Sequence, residues 1–196
     1  TPVIGMVGKI DNVEKAISSE WKNINDQIWL IGSYKSETTI AASSYLEYFH
    51  GEITGRPPRI DLHDEKYCQS FIRNSILSGF VISSHDISDG GLAIALAECS
   101  ILSAKGAEIE LQYESTRDDN LLFAEGGSRI IFSIDKMKEK EWLNYLKNIQ
   151  INFQSSIYLK KIGYVSSEAL KIKIQEKNIC NIMVEELTEK FNNSIS

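Results

Sequence analysis

The sequence predicts an α/β (α+β) fold in which a mixed β-sheet is covered by helices. Three observations lead to it. Strand-length apolar runs such as DQIWLIGS (26–33) and RIIFSI (129–134) alternate with segments of helical period. Gly, Asp and Ser clusters punctuate the junctions, as strand-to-helix turns require. The 196 residues, 42% hydrophobic and 24% charged, suffice for one globular domain with a substantial core.

The elements follow in order. TPVIGMVGKI reads as a strand through Val3, Ile4, Met6, Val7 and Ile10 that starts in mid-stride, so the chain reads as a piece of a longer polypeptide. NVEKAISSEWKN is expected to be a short helix and DQIWLIGS a strand ending at Gly32-Ser33. ASSYLEYFHG reads as a helix stopped by Gly51, and EITGRPPRI as a loop, because Gly55 and Pro57-Pro58 forbid regular structure. The clearest helix begins at the N-cap Asp61. Asp64 and Glu65 stand in its first turn, Cys68, Phe71, Ile72 and Ile76 form one buried stripe, and Gly79 ends it. FVISS is a strand. The helix from Leu92 to Lys105 is apolar nearly all round, which predicts burial, and Gly106 closes it. AEIELQ alternates as a half-buried strand and RIIFSI is another. KEKEWLNYLKNI is an amphipathic helix with Trp142, Leu143, Leu146 and Ile149 inward. YLKKIGYV and LKIKIQ read as a late strand pair, IMVEELTEKF as a terminal helix and NNSIS as a frayed tail.

Composition excludes several functions. A formal charge of -6 argues against a nucleic-acid partner, which would want a basic face. No apolar run approaches the ~20 residues that cross a bilayer, so no membrane partner is expected. The three cysteines, Cys68, Cys99 and Cys180, are widely spaced and odd in number. They fit buried hydrophobes in a reducing, cytoplasmic setting better than a disulfide framework or zinc site. Neither a nucleophile elbow nor a P-loop occurs.

Two glycine-bearing constellations remain. In HDISDGG, Asp86 ends a strand and Asp89 follows across a tight turn. Such a pair can share one hard cation such as Mg²⁺, which takes one or two protein carboxylates and completes its shell with water and phosphate. Ser88, Gly90 and Gly91 would let a helix N-terminus approach an anion. The alternative is plain capping, with Ser88 or Asp89 as N-cap and the glycines serving the turn. His85 reads as a strand-end histidine. In FAEGGSR, Glu125, Gly126, Gly127 and Ser128 could form an anion-binding concavity, or only a turn. Arg129 reads most simply as a solvated strand-end charge, with phosphate contact the lesser alternative.

Taken together and in order, GRPPRIDL, HDISDGGLAIALAECS and LLFAEGGSRIIFSI resemble the C-terminal part of the phosphoribosylformylglycinamidine synthases, large synthetase subunits of purine biosynthesis. The similarity covers nearly the whole chain. It implies an aminoimidazole ribonucleotide synthetase C-terminal-domain-like fold, with 1–24 ending a preceding N-type domain and 25–196 forming the second C-type domain. It also implies an ATP-dependent carbon–nitrogen ligase that converts formylglycinamide ribonucleotide to the amidine with glutamine-derived ammonia. Mg²⁺ and ATP would be cofactors. The partners would be the N-terminal half of the same polypeptide, a glutaminase subunit and a small dimeric accessory subunit. The principal catalytic groups would lie upstream, leaving none here and an isolated chain without activity. The loops of this domain would face a pseudo-symmetric auxiliary site, with Asp86 and Asp89 toward metal. Ser88, Gly90, Gly91 and Glu125 to Ser128 would lie toward phosphate. Departures from the family pattern are Ala124 and Gly126-Gly127, where Gly and a Ser-containing pair are more usual. AASSYL and Asn25 also stand where glycine is common. Two rivals are a sister enzyme such as thiamine-monophosphate kinase and a purely structural lobe without nucleotide.

Overall fold

The structure, a computed structural model, describes residues 3–33, 36–112, 117–149 and 156–194. Among these, the strands are β1 (Gln27–Ser33), β2 (Val81–Asp86), β3 (Ala107–Leu111), β4 (Ile130–Ile134), β5 (Ile157–Val165), β6 (Ala169–Ile174) and β7 (Lys177–Met183). They form a single 7-stranded sheet in the order β2-β4-β1-β5-β3-β6-β7. All neighbours are antiparallel except β3 and β6, so the sheet is mixed as the sequence predicts.

Helices α1 (Ser44–His50), α2 (Leu62–Leu77), α3 (Gly91–Ser103), α4 (Asp118–Phe123), α5 (Glu139–Ile149) and α6 (Val184–Ser194) accompany it. Strand β1 is buried along its whole length, which is why it reads as a continuous apolar run. Its Ile28 and Leu30 join a core with Leu92, Leu96 and Cys99 of α3, Leu122 of α4 and Leu187 of α6. Its Trp29 and Ile31 join the opposite core with Cys68, Phe71 and Ile72 of α2 and Trp142 and Leu146 of α5. Trp142 meets Trp29 and Phe132 edge-on at centroid distances of 5.9 and 5.8 Å, a favoured aromatic geometry. Beyond β5 the α2/α5 face becomes polar. Lys171 pairs with Glu108 at 3.0 Å and the Tyr164 hydroxyl donates to the same carboxylate, which accounts for the alternation in β3 and β6.

Several sequence expectations are corrected. Val3 to Ile10 is not a strand but an exposed segment without regular structure, with Val3 94% and Val7 103% exposed. The expected helix over NVEKAISSEWKN is only a 3-10 turn at Val13–Lys15. Trp21 leaves helical geometry to reach the core, where its indole N–H donates to Ser100. Helix α3 ends with Ala104 in the left-handed region, two residues before Gly106, and its Ile94 and Leu102 are exposed. Leu143 faces outward on α5. The two late strands do not pair with each other. Strand β5 lies between β1 and β3, while β6 pairs with β3 and with β7, a strand missing from the sequence reading because its burial is weakly patterned. Asn25 has φ 70 in the turn before β1, a conformation Asn tolerates better than most residues.

Candidate functional site

Strand β2 delivers Asp86 to its end, paired there with Ile130 of β4. The chain then turns through Ile87, which is buried, while Asp86, Ser88 and Asp89 are all exposed. Neither Ser88 nor Asp89 caps α3. The N-cap is Gly90, at φ 76, with no side-chain cap of its own, and the N–H of Gly91 donates to the Ser88 carbonyl at 3.1 Å. The capping alternative therefore fails for both side chains.

The cap comes from the second loop. Glu125 Oε1 accepts from the N–H of Gly90 at 2.8 Å and of Ser44 at 2.9 Å. One carboxylate oxygen thus serves the N-termini of α3 and α1, where the helix dipoles favour negative charge. Residues 39 and 125 also form a backbone bridge, and Tyr45 of α1 stacks on Phe123 of α4 at 4.7 Å. Glu125, expected toward phosphate, is engaged with these amides, and the Gly90 amide is engaged with it.

Gly91 completes the join. It has φ 70, and an added Cβ would lie 2.7 Å from the Phe123 carbonyl carbon and 2.8 Å from the oxygens of Ala124 and Leu122, all backbone. An added Cβ at Gly126 would come closer still to the Glu37 carbonyl oxygen. The two glycine motifs are therefore parts of one junction.

A polar chain anchors the second loop to α2. The Ser128 hydroxyl donates to Glu65 Oε2 at 2.7 Å and lies 3.1 Å from Ser36 Oγ, which accepts from the Asp61 amide. Ser128 is 4% exposed and has φ 63, so it is a buried support and not a surface donor. Beneath it, the fully buried Asp64 accepts from Ser33 at 2.5 Å and Ser156 at 3.0 Å. Asp61 caps α2 as predicted, accepting from His63 and Asp64 amides at 3.1 and 2.9 Å. Asp61, His63 and Asp64 could bring three ligand atoms together, but the two carboxylates already hold these amides and hydroxyls.

Arg129 overturns its sequence reading. It is 7% exposed, its Nη2 donates to the Ala124 carbonyl at 2.5 Å, and its Nε has no partner. Burial holds its pKa below the usual guanidinium value, against the opposing influence of Tyr158 and Glu125. Glu65, Ser36 and Arg129 were the residues missed as site components. The only signals in the sequence were a first-turn acid, a lone serine and a strand-end cation.

Asp86 and Asp89 accept no backbone amide among the described residues. His85 lies 3.7 Å from Asp86 and 3.1 Å from Glu98. The two exposed carboxylates and Ser88 lie on one turn, a rim between β2 and α3. A cleft of about 1120 Å³ beside β3 and β5, lined by Leu92, Leu121, Lys160 and Lys173 among others, includes none of the nine candidate residues. Exposed carboxylates such as Asp86 and Asp89 are the donor type that a hard cation such as Mg²⁺ takes.

Fold and junction together define an α/β domain that presents two interlocked glycine loops at the end of its sheet. The family described as AIR synthase related protein, C-terminal domain, matches residues 23–172, and the chain belongs to it. Over all 196 residues the chain is 85% identical to phosphoribosylformylglycinamidine synthase subunit PurL of Prochlorococcus marinus strain MIT 9312, and 82% to that of strain AS9601. It spans 25% of the length of each, so the resemblance carried by the motif series extends over the whole chain but a quarter of those relatives. Among solved structures, Thermotoga maritima PurL complexed with ATP superposes with a TM-score of 0.66 at 14% identity, over 90% of this chain and 28% of that one. The same protein complexed with FGAR gives 0.67 at 16% identity, over 90% and 30%. At these identities the likeness establishes the shared fold. No described helix is long and apolar enough to cross a membrane.

Proposed function

We propose that this chain is the second C-type domain (25–196), preceded by the end of an N-type domain (1–24), of a phosphoribosylformylglycinamidine synthase subunit. The whole protein would use ATP to convert formylglycinamide ribonucleotide to the amidine with glutamine-derived ammonia in the cytoplasm. The chain's identity to PurL subunits along its full length supports this over a sister kinase. The principal catalytic groups belong to the rest of the polypeptide, and the isolated chain is inactive. A glutaminase subunit and a small accessory subunit are proposed partners, in keeping with the PurLQS complex of Thermotoga maritima.

Within that protein we assign the rim to the metal side of an auxiliary nucleotide site. Mg²⁺, which would neutralise phosphate charge, would be held by Asp86 and Asp89. Ser88 and the Gly126-Gly127 backbone would approach phosphate, while Gly90, Gly91, Glu125 and Ser128 hold the loops in place. The observation carrying this is that Glu125 takes the cap of α3, leaving Asp86, Ser88 and Asp89 exposed and free of capping duty. An open rim needs a second wall to exclude water, which the other half of the polypeptide would supply. The test is calorimetric titration of the full-length protein with Mg·ADP. Asp86→Asn combined with Asp89→Asn should lower affinity roughly tenfold or more, since even indirect partners of metal ligands carry that much. Unchanged affinity would reject the assignment.

A further inference from the structure

We propose that Arg129 is a positioning residue whose buried guanidinium locks the Ala124–Glu125 segment against Gly90-Gly91 and so fixes the rim bearing Asp86 and Asp89. Three links close a circuit through it. Its carbonyl accepts from the Ile87 amide at 3.0 Å, midway between Asp86 and Ser88. Its side chain holds the Ala124 carbonyl, the same group that lies under Gly91. The next residue, Glu125, returns the connection to the Gly90 amide. Each loop is thereby tied to the other by backbone on one side of Arg129 and by side chain on the other.

The surroundings of the guanidinium argue against a role in stability alone. A buried cation is costly unless carboxylates and full hydrogen bonding offset its lost hydration. Arg129 has no carboxylate within ion-pair distance among the described residues, makes a single bond to a carbonyl, and leaves Nε unpartnered. An apolar side chain of similar length would fill the space at lower desolvation cost. What it would not do is grip Ala124.

The proposal concerns loop geometry. Its consequence for ligand binding rests on the nucleotide reading above, and the experiment separates the two. Hydrogen-exchange mass spectrometry on the full-length protein would compare a peptide spanning Ser88 to Ala95 with one spanning β1. In Arg129→Met the first should exchange roughly tenfold faster relative to the second, the factor expected on losing one charge-assisted hydrogen bond. Arg129→Lys, which keeps a charged donor but not the fork, should give an intermediate, few-fold increase. An unchanged ratio in Arg129→Met, or equal acceleration of both peptides, overturns the proposal. If Arg129→Met does not fold, Arg129→Lys decides by the same ratio. Loss of Mg·ADP affinity in Arg129→Met is expected in addition. If the parent protein binds no nucleotide, the functional reading fails while the exchange ratio still judges the lock.

Discussion

Gly91→Ala should destabilise the domain, and by more than Gly51→Ala. Both glycines have left-handed backbone, at φ 70 and φ 66. At Gly51, which ends α1, nothing lies within 4 Å of an added Cβ, so the substitution there reports left-handed strain alone, about 1–2 kcal/mol. At Gly91 the same strain is joined by three backbone atoms at 2.7–2.8 Å, which no rotamer change can relieve. Pushing α4 away should add about 1–3 kcal/mol, the usual range for overpacking. An ordinary helical glycine would behave in the opposite sense, because Ala gains up to about 1 kcal/mol from helix propensity. The sign therefore discriminates. For a domain of this size the extra loss corresponds to roughly 2–12 °C in melting temperature. Thermal unfolding of the chain and its two variants by circular dichroism would measure it. A Gly91→Ala variant that melts at or above the parent, or level with Gly51→Ala, refutes the interlock.

Three further outcomes are expected. Glu125→Ala should lose about 1–3 kcal/mol in thermal denaturation because two helix-start amides lose their acceptor, while Glu125→Gln, which keeps an oxygen, should lose less; equal losses would contradict the capping role. Burial pushes the Cys68 and Cys99 thiols up to about 12, so at pH 8 only about one in ten thousand would be thiolate. Both should resist a thiol reagent until the chain is denatured, and prompt labelling of the folded chain would contradict their placement. Burial also raises the Asp26 pKa above 3.8, so the native state holds its proton more tightly than the unfolded chain. Its contribution is full below pH 3.8 and is lost as pH rises through the raised value. Asp26→Asn should therefore gain on the parent in melting temperature as pH rises from 4 to 7, and a difference independent of pH would count against it.

What the sequence revealed follows from how local each signal is. The Asp61 cap, the α2 stripe and the alternation of β3 depend on neighbours in the chain, and all were legible. Trp21 was not. Its segment has acceptable helix propensity, but an indole that fits the core and bonds Ser100 outweighs a few tenths of a kcal/mol per residue. Strand order was hidden as well. The pairing of β3 with β6 instead of β5 with β6 depends on which edges remain free after β1 has taken β5. At the site, the motifs were visible but not their division of labour. Glu125 serves amides 35 and 81 residues away, and no spacing rule reaches that far.

That division of labour has a chemical consequence. If Asp89 capped α3, its carboxylate would be held by amides and would be a poorer ligand for a cation. If Gly90 and Ser44 had no acceptor, two helix starts would present bare N–H groups and favour anions directly. Glu125 removes both possibilities at once. It supplies the negative charge the helices want from a loop that Arg129 and Ser128 also hold by hydrogen bonds. The exposed charged groups that remain at the rim are acidic, so a phosphate-bearing ligand would be disfavoured there unless a cation came with it. Nucleotide affinity in the full-length protein should accordingly depend on Mg²⁺ more steeply than on the ligand's phosphate count. Calorimetry with ADP and ATP, each with and without Mg²⁺, would measure both dependences. Tight binding of metal-free ADP would show that the anion is held by groups other than this rim.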